Sequence, residues 1–416
     1  MKILFLCNKS PWPPKEGAPM AMNMLIEGLL SSGHQVKVLA VNSFKYNISA
    51  GEIPAAYRDK TGIELIDVDL RVKPAAAFLN LFTSESYHIN RFISGKFRQR
   101  LTEVLQSTTF DVVQLETLFM CPYIETIRQY SGARVVLRAH NIEHLIWQRI
   151  AGETTNPLKR WYISHLARTL KLYEEDVITR VDGIMAITPT DASFFRKSTR
   201  GQSNEKNNPQ KPVNQHSCIP VADLPFGVDP ANYPCTPGEV EYPSLFSLGS
   251  MNWIPNMEGI RWFLFNVWPD IHKQFPALKY YLAGREMPGW MLHLNLPNVI
   301  VLGEVEDAAA FLSSKAIMIV PLFSGSGIRI KIIEGMAAGK TIISTSLGAE
   351  GIQYTNHENI LIANAACEFF DMISICIADK GLFEKVGKQA RALIQTHYLP
   401  QNLIQNLLAF YKQLAG

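Results

Sequence analysis

Short apolar runs typical of buried strands alternate with helical runs along almost the whole chain of 416 residues. Residues 2–7 are strand-like, residues 18–30 have a helical pattern, and residues 35–41 are strand-like again. This order predicts a parallel strand pair, because parallel neighbours need a crossover connection, usually a helix. The alternation therefore predicts an α/β protein with parallel sheets covered by helices on both faces.

The pattern continues in two blocks. Further strands are predicted at 63–68, 112–115, 134–138 and 184–187 in the first block, and at 245–248, 280–282, 299–302, 316–322, 341–344 and 360–362 in the second. Residues 198–217 are polar and rich in Asn, Gln and Pro, which predicts an exposed loop. Apolar residues at helical spacing over 260–271 predict one amphipathic helix.

The length of the chain predicts two domains, since single cores rarely exceed about 250–300 residues. We expect an N-terminal domain at 1–225, a C-terminal domain at 226–398, and a C-terminal helix at 399–416 that packs back on the N-terminal domain. Ligands of open α/β sheets bind outside the carboxyl ends of the strands. Two such sheets facing each other predict a central cleft lined by strand ends.

The composition argues against several classes of protein. Hydrophobic residues make up 47% of the chain, yet no apolar run approaches the ~18–20 residues of a membrane span. A net charge of +3 is too small to indicate a nucleic-acid partner. The six cysteines form no CxxC pair, which argues against a zinc site or a disulfide framework, and no signal-peptide core follows the first strand. We therefore expect a cytoplasmic protein.

The turn in residues 323–340, FSGSGIRIKIIEGMAAGK, is the strongest local signal of a ligand site. It contains four small residues, Ser324, Gly325, Ser326 and Gly327, which allow a ligand to approach the backbone closely. The apolar helix that follows presents unpaired N–H groups at its start, and these attract anions. The turn therefore predicts a phosphate site.

Three charged side chains follow the turn. Arg329 and Lys331 add positive charge, and Glu334 can accept hydrogen bonds from ribose hydroxyls, so a nucleoside diphosphate is the predicted ligand. A simpler alternative is a surface ion pair between Lys331 and Glu334, which lie three residues apart on a helix. A P-loop at 335–341, GMAAGKT, is disfavoured, because Gly339 ends a helix and leads into a strand, the reverse of P-loop order.

The run GSGIRIKIIEGMAAGKTIISTSLGAEGI resembles the donor-site motif of the family-4 retaining glycosyltransferases, group 1 glycosyl transferases of GT-B fold. SLGSMNWIPNMEGIRWF resembles the opening of that family's C-terminal domain, and FGVDPANY resembles its interdomain segment. The subgroup that it looks most like makes bacterial polysaccharides. The resemblance implies two Rossmann-like domains and transfer of a sugar, with retention, from a UDP- or GDP-sugar to a glycan or lipid-linked acceptor.

The resemblance also implies roles for particular residues. Glu334 matches a glutamate that binds the donor ribose, and His140 matches a histidine near the reacting centre. Glu334 is the second glutamate of a paired motif, and two departures from the family pattern stand out: Ser326 replaces the first glutamate of that pair, and 249–253 lacks the usual Arg and Lys. We therefore assign the diphosphate charge to Arg329 and Lys331, which with His140 form the catalytic set. The donor set is Gly17, Gly249, Ser324, Gly325, Ser326, Gly327, Ile328 and Glu334, and Asn141, Glu143, Glu304, Val305 and Glu350 are assigned to its surroundings.

The family resemblance implies no metal and no cofactor, and several other interpretations remain open. Ser326 and the missing cations would also suit a GT-B subunit that binds a nucleotide sugar without catalysis. Residues 140–144 read H-x-x-E-H, an inverted zinc-protease motif that needs a helix. The DxD at 67–69 could hold a metal, but solvated carboxylates at a strand end are the simpler interpretation. A nucleotide-sugar epimerase would share the architecture.

Residues 73–100 mix aromatic and basic side chains, and residues 161–177 are similarly amphipathic. Such a pattern suits peripheral contact with the anionic inner surface of a membrane. It equally suits ordinary amphipathic helices packed on a sheet.

Overall fold

The computed structural model describes residues 1–14, 17–205, 219–234, 240–325 and 327–415. The strands are β1 (Lys2–Cys7), β2 (Gln35–Asn42), β3 (Glu64–Asp67), β4 (Val112–Glu116), β5 (Arg134–Ala139), β6 (Gly183–Ala186), β7 (Val221–Asp223), β8 (Glu241–Leu248), β9 (Lys279–Ala283), β10 (Val299–Gly303), β11 (Lys315–Val320), β12 (Thr341–Ser344) and β13 (Leu361–Ile362). The helices are α1 (Gly17–Ser31), α2 (Ala55–Thr61), α3 (Pro74–Asn80), α4 (Tyr87–Asn90), α5 (Gly95–Ser107), α6 (Ile124–Tyr130), α7 (Glu143–Glu153), α8 (Pro157–Val177), α9 (Pro189–Glu205), α10 (Ile254–Asn266), α11 (Trp268–Gln274), α12 (Gly289–Leu292), α13 (Ala308–Ser314), α14 (Ile330–Ala337), α15 (Ala366–Ala378), α16 (Lys380–His397) and α17 (Pro400–Ala415).

The chain divides into two compact units. The first unit comprises Met1–Pro225 together with Leu403–Gly416, and the second comprises Phe226–Asn402. Each unit is built around one parallel sheet, of seven strands in the first unit and six in the second. The α/β fold with two Rossmann-like domains is therefore confirmed.

The first sheet has the order β3-β2-β1-β4-β5-β6-β7. Successive residues of β1 point to opposite faces: Leu4 and Leu6 lie in the core on one face, and Ile3 and Phe5 in the core on the other. Both cores are covered by helices, which is why the five residues that follow Lys2 in β1 are all apolar and buried. The strand order moves outward in both directions from β1 and β4, so the topological switch point lies between these two strands.

The C-terminal helix α17 completes one of these cores. Leu403, Ile404, Leu407 and Tyr411 pack with Ile3 and Phe5 of β1 and with the buried face of α1. The fit is close, because a Cβ atom on Gly28 of α1 would lie 2.4 Å from the side chain of Ile404. The helix therefore belongs to the first unit although it follows the second unit in the chain.

The second sheet has the order β10-β9-β8-β11-β12-β13. Its core contains apolar residues of α10 and α11 together with the inward faces of β8, β9 and β11. Strand order again moves outward in both directions, here from β8 and β11. The switch point of the second unit therefore lies between β8 and β11.

Two local predictions were wrong. The single helix predicted over 260–271 is two helices, α10 and α11, because Pro269 at the second position of α11 has no N–H for a continuous helix. The loop predicted over 198–217 is helical as far as Glu205 in α9, and its remainder lies outside the described residues. Polar composition alone did not exclude a helix there.

Candidate functional site

The predicted phosphate segment lies at the switch point of the second sheet. Gly249 follows β8, residues 321–329 follow the neighbouring β11, and α14 begins at Ile330. At a switch point the connections leave the two strands in opposite directions and open a crevice between them. The position that ligands of this fold class occupy therefore coincides with the predicted turn.

The turn depends on glycine. Gly325 has φ +100°, and a Cβ atom there would lie 2.9 Å from the ring of Trp253. Gly259 on α10 allows that helix to approach the end of β11, because its Cβ atom would lie 1.8 Å from the carbonyl oxygen of Pro321. The segments after β8 and β11 are thus held close together by residues without side chains.

Lys331 is half-buried on the first turn of α14. Its Nζ donates to Oδ1 of Asn256 at 2.6 Å, and Asn256 donates in turn to the carbonyl oxygen of Ser250 at 2.9 Å. Burial, together with the nearby charge of Arg329, lowers the pKa of Lys331 to about 7. No carboxylate pairs with Lys331 among the described residues, so its ammonium is held by a neutral amide next to the backbone of Gly249.

Arg329 is buried at the residue before α14, in an extended conformation. Its guanidinium lies 5.0 Å from the ring centroid of Trp253 and donates to the carbonyl oxygen of Gly327. Arg329 and Lys331 therefore project from different parts of the segment, one from the turn and one from the helix. The two cations nevertheless lie close enough for one to lower the pKa of the other.

Glu334 accepts a hydrogen bond from the hydroxyl of Tyr233 at 2.8 Å. Burial raises the pKa of Glu334, and this hydrogen bond acts in the opposite direction without cancelling the effect. Arg391 on α16 holds the Tyr233 segment by donating to the carbonyl oxygens of Pro230 and Tyr233, both at 2.9 Å. Lys331 and Glu334 thus have separate neutral partners and do not form the surface ion pair of the alternative interpretation.

The other residues assigned to this site are spread more widely. The hydroxyl of Ser324 donates to the carboxylate of Glu258 at 3.3 Å. Ile328, which directly precedes Arg329, is partly buried. Glu304 and Val305 follow β10, which is two strands away from β8 in the sheet. Glu350 is partly buried in the segment after β12. Ser326 lies outside the described residues.

In the first unit, His140 follows β5 directly, at the carboxyl end of the sheet as predicted. Its Nε2 lies 2.7 Å from Oε2 of Glu116, the last residue of β4, which is completely buried. Arg138, also completely buried, lies 3.5 Å from the same carboxylate. Burial acts to raise the pKa of Glu116, but Arg138 and His140 outweigh it, so that carboxylate is ionised.

The remaining residues assigned in the first unit are Gly17, Asn141 and Glu143. Gly17 is the exposed first residue of α1, and Asn141 follows His140. Glu143 is buried at the start of α7, where burial and the charge of Glu174 raise its pKa to about 8. Glu143 is therefore protonated at neutral pH.

The histidines of H-x-x-E-H have different partners. His140 contacts Glu116 before α7 begins, whereas Nδ1 of His144 lies 2.5 Å from Glu174 of α8. The motif is therefore not on one helix, which the inverted zinc site requires. Within residues 1–14, 17–205, 219–234, 240–325 and 327–415, no group of three or more His, Cys, Asp or Glu side chains could hold a metal ion.

Residues 242–379, which include both cations and Glu334, match the family model described as "Glycosyl transferases group 1". The chain carries a group 1 glycosyltransferase domain on a GT-B fold. The domain begins with β8 and ends after α15, so the match covers the whole switch-point site.

Full-length comparisons give one sequence relative and several structures of similar fold. A Klebsiella pneumoniae protein described as "Uncharacterized 44.6 kDa protein in cps region" is 22% identical over 408 residues, 95% of this chain and 96% of the relative. Sucrose-phosphate synthase from Thermosynechococcus elongatus superposes with a TM-score of 0.67 at 14% identity, over 100% of this chain and 99% of that chain. Anabaena HepE, solved in complex with UDP, superposes with a TM-score of 0.66 at 14% identity, over 99% of this chain and 100% of that chain. The structural likenesses establish the fold of the group 1 domain and of its partner unit.

Several residues that hold the assigned side chains in either unit were not predicted. Asn256, Tyr233 and Arg391 hold Lys331 and Glu334, and Glu116 holds His140. Glu116 gave one readable signal, a carboxylate at the end of β4, a mostly apolar strand that comes before β5 in the chain. The others come from elements distant in sequence and carry no local pattern.

Proposed function

We propose that the protein is a retaining glycosyltransferase that moves a sugar from a UDP- or GDP-sugar to a glycan or lipid-linked acceptor. The second unit binds the nucleotide sugar, and the first unit binds the acceptor. The K. pneumoniae relative is described as lying in a cps region, and the subgroup resemblance concerns bacterial polysaccharides. Both support a role in cell-surface polysaccharide biosynthesis.

The observation that carries the proposal is the charge state of the switch-point site. Lys331 and Arg329 place two cations beside a glycine turn and a helix start, and Lys331 has only a neutral partner among the described residues. A diphosphate would supply the missing negative charge and accept hydrogen bonds from the backbone. Glu334 lies one turn further on, within the reach of a ribose attached to that diphosphate.

In the proposed reaction the bond between the anomeric carbon and the diphosphate oxygen breaks, and the acceptor oxygen bonds to that carbon from the same face. The leaving diphosphate takes the proton from the acceptor hydroxyl, so no protein nucleophile is required. Lys331 and Arg329 stabilise the charge that develops on the leaving group. These two cations replace a metal ion in this role, and no cofactor takes part.

The test is titration calorimetry with UDP, GDP and their sugars, followed by an assay of nucleotide-sugar hydrolysis and transfer with membrane extracts. Glu334→Ala should lose turnover and weaken binding of the nucleoside, because the ribose loses its carboxylate. Glu384→Ala, on the exposed face of α16, is the matched control and should behave as wild type. Binding without turnover of any sugar would instead support the non-catalytic subunit that the Ser326 position suggests. No binding of any nucleotide would contradict both.

We also propose that the first unit contacts an anionic membrane surface, where a lipid-linked acceptor would lie. None of the described helices is long and apolar enough to cross a membrane, so the contact would be peripheral. Large apolar side chains are exposed on α3, just after it and at the start of α8. They include Phe78, Phe82 (76% exposed), Leu158 (79%) and Trp161 (61%). The two helices are neighbours, because Ala77, Tyr87 and Leu166 pack together.

Basic residues surround this apolar surface. Arg71 and Lys73 precede α3, and Lys159 and Arg160 lie on the first turn of α8, all four exposed. Each basic side chain near an anionic leaflet contributes about 1 kcal/mol. Lys159→Glu combined with Arg160→Glu should therefore abolish co-sedimentation with vesicles rich in phosphatidylglycerol. Lys385→Glu with Lys388→Glu, exposed on α16, is the charge-matched control. An equal loss of co-sedimentation in both double variants would contradict a specific membrane-binding surface.

A further inference from the structure

The buried cluster around Glu116 extends to the C-terminal helix. The hydroxyl of Tyr411 on α17 donates to Oε1 of Gln114, and Nε2 of Gln114 donates to Oε1 of Glu116. The other carboxylate oxygen of Glu116 accepts from His140. A continuous chain of hydrogen bonds thus links a helix at the end of the sequence to the histidine at the end of β5.

All members of this chain are shielded from solvent. Tyr411, Gln114 and Glu116 are completely buried, and the side chain of His140 is 7% exposed. In such surroundings hydrogen bonds polarise one another and hold their partners in one orientation. Arg138 fixes the same carboxylate from another side and donates to the carbonyl oxygen of Ala21 at 3.3 Å.

The chain determines which nitrogen of His140 carries the proton. Burial lowers the pKa of His140, and the hydrogen bond that its ring donates to Glu116 only partly opposes this, so the ring is neutral near pH 7. A carboxylate can only accept, so the proton of the neutral ring lies on Nε2. Nδ1 is then unprotonated and can accept a hydrogen bond.

We propose that Gln114 and Tyr411 are positioning residues that act through Glu116 to fix His140 with its proton on Nε2 and Nδ1 available to a substrate hydroxyl. The role of His140 in sugar transfer rests on the proposed function, whereas the tautomer does not. Tyr411 is the contribution of the C-terminal helix to this site. It gives α17 a function in addition to completing a core.

The first arm of the test observes the tautomer directly, without substrate. Nitrogen-15 NMR of protein labelled at histidine should show His140 with a protonated Nε2 and an unprotonated Nδ1, its signals being assigned by their loss in His140→Gln. An Nδ1–H tautomer in the wild-type protein would overturn the proposal. This outcome is independent of whether the protein transfers a sugar.

The second arm removes the part of the chain beyond Glu116, and Oε1 of Glu116 thereby loses the hydrogen bond from Gln114. Gln114→Met combined with Tyr411→Phe deletes both partners of one hydrogen bond, which costs less stability than deleting one. The Nε2–H signal of His140 should shift and exchange with solvent faster in this double variant. Tyr280→Phe, which removes a buried tyrosine hydroxyl bonded to Ser247 in the second unit, is the control and should leave the His140 signals unchanged.

The third arm separates positioning from a purely structural role. In the double variant kcat should fall by about 10-fold while KM for the nucleotide sugar is unchanged, since misplacing a reacting group by a fraction of an ångström affects turnover more than binding. Unchanged His140 signals in a folded double variant would overturn the proposal. If the signals change but no transfer occurs even in wild type, the proposed function fails while the positioning chain stands.

Discussion

The two units place charge at the ends of their sheets in different ways. In the first unit Glu116 is completely buried, lies beside Arg138 and accepts hydrogen bonds from Gln114 and His140. In the second unit, Lys331 and Glu334 are only partly buried. Their partners are the neutral side chains of Asn256 and Tyr233.

This difference indicates different roles. Both oxygens of the Glu116 carboxylate have partners within the first unit, so its orientation does not depend on a ligand. A charge held only by neutral partners raises the free energy of the ligand-free protein, and a ligand of opposite charge can recover that energy. Under the proposed function the first cluster orients a side chain, whereas the second attracts an anion.

The largest effect is expected from a substitution that breaks the cluster around Glu116. Glu116→Gln leaves Arg138 buried without its counter-charge, which should lower the free energy of unfolding by about 3–5 kcal/mol. Urea denaturation measures the loss, and hydrogen exchange at the β4 and β5 amides locates it in the first unit. Glu334→Gln is the comparison, with a change of at most about 1 kcal/mol, because burial already favours its neutral form. Equal losses in the free energy of unfolding for the two variants would contradict the proposed difference between the clusters.

The next effect concerns ligand binding. Lys331→Met should weaken binding of UDP-sugar by about 10–100-fold, the value of one charge-assisted hydrogen bond of about 1.5–3 kcal/mol. The melting temperature of the ligand-free protein should stay the same or rise, because a half-buried charge is removed. Lys279→Met, whose ammonium pairs with Glu241 at 3.3 Å, is the control and should not alter affinity. Unchanged affinity in Lys331→Met would show that Lys331 is structural.

A third test uses pH. The pKa of Lys331 is lowered from 10.5 to about 7 in the folded protein, so the unfolded chain binds more protons between these values. The contribution of Lys331 to stability therefore rises with pH across this window and is smallest below pH 7. Binding an anion restores the charge, so UDP-sugar should take up close to one proton at pH 8. Calorimetry in buffers of different ionisation enthalpy measures the uptake, which Lys331→Arg should abolish.

The smallest expected effect concerns the partner of Glu334. Tyr233→Phe removes one hydrogen bond and raises the pKa of Glu334 further, since that bond opposes the effect of burial. Affinity for UDP-sugar should fall by about 2–10-fold, corresponding to about 0.5–1.5 kcal/mol. Tyr242→Phe, whose hydroxyl donates to the carbonyl oxygen of Cys376, provides the control. A larger loss of affinity in Tyr233→Phe than in Lys331→Met would contradict the expectation that Lys331 contributes more to binding than Tyr233.

The sheets could be predicted well, because each strand carries its own apolar pattern. The first predicted strand has the same bounds as β1, and the second ends one residue before β2 does. β7 was missed, since three residues, Val221–Asp223, are too short to show a pattern. The break between α10 and α11 was readable at Pro269 and was overlooked.

The sequence alone determined the strand and helix order, the glycine turn, the positions of Arg329 and Lys331, and His140 at a strand end. These features depend on local periodicity and on the conformations that individual residues allow. Only the tertiary structure determined the partners, because Asn256 lies 75 residues from Lys331, Tyr233 lies 101 from Glu334, and Tyr411 lies 297 from Gln114. Such pairs follow from strand order and helix packing, and these arise from the burial of the whole chain.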